Sequence, residues 1–308
     1  MVAPFLHVFP DTRRFGRALA RVTGWTSAAV RVHAFPDGET VVTVRHPSHA
    51  EAIVVRSLHD PNAKLFEVLL TADALRRAGA RRLTLIAPYL PYMRQDRVFK
   101  PGEPISQRVL GGVLGAAFDR VLTVEAHLHR VARLAEVVPR ARARSLSAAP
   151  VLAAWLGARR RDTVLVGPDA ESAAWVRAVA QRAGMPWVVG DKQRGGDRRV
   201  RLRVPVLPPA SHAVLIDDIV SSGATLAAAA RGLRRRGIAT VDAIAVHALI
   251  TPAALARLRR AGIRHLWSCD TVPHPTNAIS VAPLFVDALA RRGDPAGAGQ
   301  TRPARRGS

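Results

Sequence analysis

Short apolar runs and amphipathic stretches alternate along almost the whole chain. Runs at 52–58 (AIVVRSL), 82–90, 120–127, 162–169, 187–194, 212–219, 240–250 and 265–270 have the length and composition of buried strands. Between them lie 62–80, 104–118, 149–158, 171–184, 224–237 and 251–262, where apolar residues recur at helical spacing. Strands alternating with helices of this length predict βαβ units and a mostly parallel sheet. The cadence runs twice, so two similar α/β units are expected, over 1–145 and 146–290, joined near PRARARSLSAAP (139–150). The remaining 291–308, rich in Gly, Pro and Arg, is expected to be disordered.

Composition narrows the class. The chain has 308 residues, 48% of them hydrophobic, enough for a sizeable core. No apolar run reaches the roughly 18 residues of a membrane helix, and the first twenty residues lack the basic start and apolar stretch of a signal peptide. A cytoplasmic protein with no membrane partner is expected. One cysteine, Cys269, excludes an intrachain disulfide and a cysteine zinc site. The formal charge of +23 raises nucleic-acid binding. However, only Lys64, Lys100 and Lys192 are lysines, and the arginines are spread through helical stretches such as RGLRRRG and ARLRRAG. They read as solvated helix ends, with cations in last turns where the dipole favours them. No nucleic-acid partner is expected, although the excess charge draws polyanionic substrates towards a cleft.

In parallel α/β sheets ligands bind beyond the carboxyl ends of the strands. The residues there are His127, Asp169, Lys192, Arg194, Asp217 and Asp218. The stretch VLIDDIVSSGATL (214–226) ends a strand in two acids and enters a helix through Ser221, Ser222, Gly223, Ala224 and Thr225. A small-residue loop at a helix N-terminus offers amide N–H groups and the positive end of the dipole to a phosphate. One Ser or Thr would suffice as a cap, and a cap does not explain two acids just upstream. Carboxylates that accept from hydroxyls beside a phosphate cradle suit a sugar phosphate.

This loop resembles the phosphoribosyl-binding loop of the phosphoribosyltransferase-type fold. AFPDGET (34–40), the strand and loop over 73–106 with Arg94-Gln95-Asp96-Arg97, DRVLTVEAHLH (119–129), GPDAESAAWVRAVA, DKQR and CDTVP (269–273) are together similar to the ribose-phosphate pyrophosphokinases. The resemblance implies two phosphoribosyltransferase-like domains and transfer of pyrophosphate from ATP to the C1 hydroxyl of ribose 5-phosphate. It implies that Asp37, Gly38, Glu39, Arg94 and Gln95 hold ATP, and that His127 and Asp169 bind Mg2+. Lys192 and Arg194 stabilise the transition state, while Asp217, Asp218, Arg194 and residues 221–225 hold ribose 5-phosphate. A homo-oligomer, dimer or hexamer, is also implied. The sequence departs from the family pattern at Ser221 and Ser222, where an acid and a threonine are usual, and at Ala224, where a second glycine is usual. A Cβ disfavours positive φ, so Ala224 predicts a tightened or altered pocket. A phosphoribosyltransferase sharing only the loop, and a non-catalytic regulatory relative, remain alternatives.

Overall fold

The computed structural model describes residues 3–45, 50–157, 162–195, 199–203 and 207–290. The first half runs β1 (Phe5–Val8), α1 (Arg13–Thr23), β2 (Ser27–Ala29), β3 (Arg31–Ala34), β4 (Thr40–Thr43), β5 (Glu51–Val55), α2 (Pro61–Arg77), β6 (Arg82–Ile86), α3 (Ser106–Ala117), β7 (Arg120–Val124) and β8 (Arg142–Leu146). Next come α4 (Ala149–Gly157), β9 (Thr163–Gly167), α5 (Ala173–Ala183), β10 (Trp187–Val189), β11 (Asp191–Gly195), β12 (Arg199–Arg203) and β13 (His212–Val220). Last among the described residues come α6 (Ala224–Arg235), β14 (Thr240–Ala248), α7 (Pro252–Arg260), β15 (Ile263–Cys269), β16 (Asn277–Ile279) and α8 (Ala282–Ala290).

Among the described residues these strands form two six-stranded sheets with one topology, β2-β1-β5-β6-β7-β8 and β10-β9-β13-β14-β15-β16. Every pairing within them is parallel. Each half also carries an antiparallel hairpin, β3–β4 and β11–β12. The apolar runs follow from burial on both faces: β9 and nearly all of β14 are buried at every position.

The layers are α/β/α/β/α. Helices α2 and α3 cover the outer face of the first sheet through Val68, Leu75, Leu110 and Leu114. Helices α6 and α7 cover the outer face of the second through Leu226, Leu233 and Leu258. The middle layer is one continuous core shared by both sheets, filled by Phe15 and Leu19 of α1, Leu152 of α4, Val176 of α5 and Phe285 of α8. Its helices are exchanged: α4, which follows the first sheet, packs on α5, and α8, which follows the second, packs on α1. Phe15 and Phe285 meet edge to face at 5.5 Å.

Two expectations need correction. The run at 187–194 is not one strand: it breaks at Gly190, whose amide donates to the carbonyl of Gly167. The chain then leaves the sheet, and the charged sequence from Asp191 builds a hairpin with RVRLR instead of a buried strand. The run at 120–127 ends as a strand at Val124, because Glu125 takes φ 38, outside the strand region. The expected runs also omit the helices α1 and α8 and the strands β1, β2, β3, β4, β8, β12 and β16, each of those strands being too short to stand out by periodicity. The tail at 291–308 lies outside the described residues.

Candidate active site

Asp217 and Asp218 sit near the end of β13, which runs between β9 and β14. Register pairs Leu215 with Val166 and Asp217 with Ala245. Asp169 follows the end of β9 by two residues, and its charge reaches Asp217. The acids of β9 and β13 therefore share one end of the second sheet.

His127 arrives from the first half. Its Nδ1–H donates to Asp218 Oδ2 at 2.6 Å, and its Nε2 meets the Nε2 of His129. Asp218 Oδ1 accepts the Ile219 amide at 2.7 Å. These contacts separate the paired acids. Asp217 is pushed well above the usual carboxylate range, by burial first and then by the charges of Asp218 and Asp169. Burial alone would raise Asp218 too, but the hydrogen bond and charge of His127, with His247 and the Ile219 amide, hold it below. The two adjacent carboxylates are thus displaced in opposite directions, Asp217 upward and Asp218 downward.

The loop after β13 turns through Gly223, at φ 71 and ψ 6, into α6. The left-handed residue is Gly223, not Ala224, which begins the helix. The strain expected of an alanine is therefore absent: its Cβ sits where helical φ/ψ accepts any L residue. At Gly223 a Cβ would come within 2.9 Å of Leu258 on α7. Ser221, Ser222 and Ala224 are exposed, with Ser222 Oγ accepting the Ala224 amide at 3.4 Å.

Asp169 caps the turn before α5, its Oδ1 accepting the Ser172 amide at 3.2 Å. Arg94 and Gln95 are exposed in the long connection between β6 and α3, where the charge of Arg94 reaches the Tyr89 hydroxyl. Asp37, Gly38 and Glu39 form the exposed tip of the β3–β4 hairpin, with Asp37 Oδ1 accepting the Glu39 amide at 3.0 Å. Lys192 and Arg194 lie on β11, paired with Leu202 and Val200, and their side chains lie outside the described residues. So His127, Asp169, Asp217, Asp218 and the loop are drawn together, while the Asp37–Glu39 turn and Lys192 with Arg194 stand on separate hairpins.

Sequence reasoning passed over Glu125, Tyr89, Trp175 and His247, which line the seam between the halves. Tyr89 packs edge to face on His247 at 5.0 Å. His247 is buried, and that burial holds its pKa down at about 4. The available signal was Glu125 itself, an acid at the end of an apolar run, two residues before His127.

Comparison with known proteins agrees with this architecture. Residues 7–117 match the model of the N-terminal domain of ribose phosphate pyrophosphokinase. Residues 145–283 match the phosphoribosyl transferase domain. A ribose-phosphate pyrophosphokinase of Methanopyrus kandleri is 35% identical over 280 residues, 90% of this chain and 95% of that protein. The chain belongs to the ribose-phosphate pyrophosphokinase family. A Halobacterium salinarum ribose-phosphate pyrophosphokinase is likewise 35% identical, covering 91% of this chain and 98% of its own. The crystal structure of phosphoribosylpyrophosphate synthetase from Mycobacterium smegmatis superposes with a TM-score of 0.79 at 26% identity, over 93% of this chain and 98% of that one. In this pyrophosphokinase fold, no helix among the described residues is long and apolar enough to cross a membrane.

Proposed function

We infer that this chain is a working ribose-phosphate pyrophosphokinase, moving the pyrophosphoryl group of ATP to the C1 hydroxyl of ribose 5-phosphate and releasing AMP. The observation that carries it is the convergence of Asp169, Asp217, Asp218 and His127 beside a phosphate-sized loop at a helix N-terminus. The loop with Asp217 and Asp218 fits any sugar phosphate; His127 from the other half, beside Asp169, is what a pyrophosphoryl transfer adds.

The 5-phosphate would rest on the Ser221–Thr225 loop, where amides and hydroxyls donate and the dipole of α6 favours negative charge. Asp218, ionised and oriented by His127, would accept from a ribose hydroxyl, with Asp217 beside it facing the same sugar. Asp37, Gly38, Glu39, Arg94 and Gln95 would hold ATP. Lys192 and Arg194 would meet the charge that migrates at the β-phosphate, an electrostatic task that dominates phosphoryl transfer. A lysine on a hairpin can follow that charge as a compact ammonium.

Mg2+ fits the donors at this place. No group of three or more His, Cys, Asp and Glu among the described residues is spaced to cage a metal. Carboxylates without a full cage suit an ion that keeps waters and takes its other ligands from substrate phosphates. Asp169 would hold it, with His127 Nε2 available once His129 moves aside. Bound Mg2+ would neutralise the phosphate oxygens as charge shifts between them. Homo-oligomeric assembly and a cytoplasmic setting belong to the same reading.

The test is AMP formation from ATP, Mg2+ and ribose 5-phosphate, with sedimentation to read the assembly. Folded protein that forms no AMP with ribose 5-phosphate or other pentose phosphates would falsify the proposal.

A further inference from the structure

Glu125 follows β7 directly and holds φ 38, a left-handed backbone that a non-glycine residue keeps only when its surroundings enforce it. What enforces it comes from three other segments. Glu125 Oε1 accepts from Ser147 Oγ at 2.8 Å and the Ala148 amide at 2.6 Å, both at the entry to α4. The same oxygen accepts from Trp175 Nε1 of α5 at 2.9 Å. Its amide donates to Leu146 O at 2.9 Å, and its carbonyl lies 3.3 Å from His247 Nε2 of β14. One residue of the first half is thus tied to the connecting segment and to two elements of the second.

A built-in control exists. Asp270 follows β15 as Glu125 follows β7, and accepts from Ser280 Oγ and the Val281 amide, both at 2.8 Å, at the entry to α8. Both acids anchor the helix that follows an edge strand. Only Glu125 adds an indole from the opposite half, and only Glu125 is followed two residues later by His127, whose imidazole crosses to Asp218.

We propose that Glu125 is a positioning residue: its strained turn and cross-half hydrogen bonds aim His127 at Asp218. Its role in turnover rests on the pyrophosphokinase reading; its effect on His127 does not.

The experiment compares Glu125→Ala with Asp270→Ala in the full chain. It reads kcat and both KM values, thermal midpoint, and the 15N-histidine resonance of His127 Nδ1–H, assigned by its loss in His127→Asn. Glu125→Ala is expected to lower kcat about 100-fold, the cost of an ångström-scale misplacement, with KM changed less than about threefold and the His127 resonance lost. Glu125→Gln, which keeps an acceptor oxygen, is expected to restore most of the turnover and the resonance. Asp270→Ala is expected to lower the thermal midpoint with kcat and the His127 resonance unchanged. Glu125→Ala matching Asp270→Ala in kcat, or keeping the His127 resonance, overturns the proposal. If Glu125→Ala does not fold, Trp175→Phe removes one donor and is expected to shift the resonance and cut kcat about fivefold; no shift overturns it. A wild-type chain that forms no AMP refutes the functional reading and leaves the resonance to decide the role of Glu125.

Discussion

The same loop is built twice in this molecule and filled in opposite ways. After β5 and after β13 the chain enters a helix through a left-handed residue, Asp60 at φ 50 in one half and Gly223 at φ 71 in the other. In the second half the loop is small, hydroxyl-bearing and largely exposed. In the first half it is plugged. Arg56 is buried, pairs with Glu67 and with Asp11 at 3.6 Å, and lies 4.0 Å above the Phe9 ring. Lys64 reaches Asp11 at 3.0 Å and His59 at 2.9 Å, and burial followed by the Lys64 charge lowers the His59 pKa. A left-handed turn before a helix therefore supplies only the frame of an anion site. Side-chain size and the absence of a competing ion-pair network decide whether anything can enter.

Five changes would break or sharpen that contrast. The largest effect is expected from Lys192→Ala, which should cut turnover by about 10³-fold while ATP binding by calorimetry stays nearly unchanged. Near-normal turnover would remove Lys192 from the mechanism. Next, Arg56→Ala leaves Glu67 buried without its cation and should cost about 3–5 kcal/mol in denaturant unfolding, without altering either KM. A raised KM for ribose 5-phosphate would mean that the plugged loop still touches substrate.

A smaller effect is expected from Gly223→Ala. The left-handed φ and the Leu258 contact oppose a Cβ, so the loop should distort, raising KM for ribose 5-phosphate about tenfold with ATP affinity preserved. Ala224→Gly should change little, since Ala224 begins the helix; a large gain would return the left-handed turn to that position. The smallest effect concerns His247. Its folded pKa of about 4 lies below the ordinary 6.5, so the unfolded chain takes up the proton first. Stability contributed by neutral His247 is complete above pH 6.5 and is lost as pH falls from 6.5 towards 4. By pH 5.5 the loss should be roughly 1 kcal/mol, and His247→Gln should flatten that slope in thermal scans.

The sequence carried the alternation, the doubling and the sugar-phosphate loop because each rests on local pattern. Buried parallel strands read as apolar runs, and acids at their ends are conspicuous. What it could not carry depends on contacts distant along the chain. Nothing near Ala149 says that α4 packs on α5, nor that α8 returns to α1. The apolar run through Val124 gives no sign that Glu125 turns left-handed, since that turn is imposed from Ser147, Trp175 and His247. At the loop, the left-handed turn falls on Gly223 and not Ala224, and the crowding of that position by Leu258 comes from a later helix.

The exchange of middle-layer helices also orders events on the ribosome. Helix α1 emerges long before its partner α8, which is completed only at Ala290. Until then Phe15 and Leu19 lack the α8 side chains that help cover them, and the first half stays unsealed while the second is made. The nascent chain must therefore keep the apolar face of α1 in solution, or in the care of a chaperone, until α8 arrives to close it.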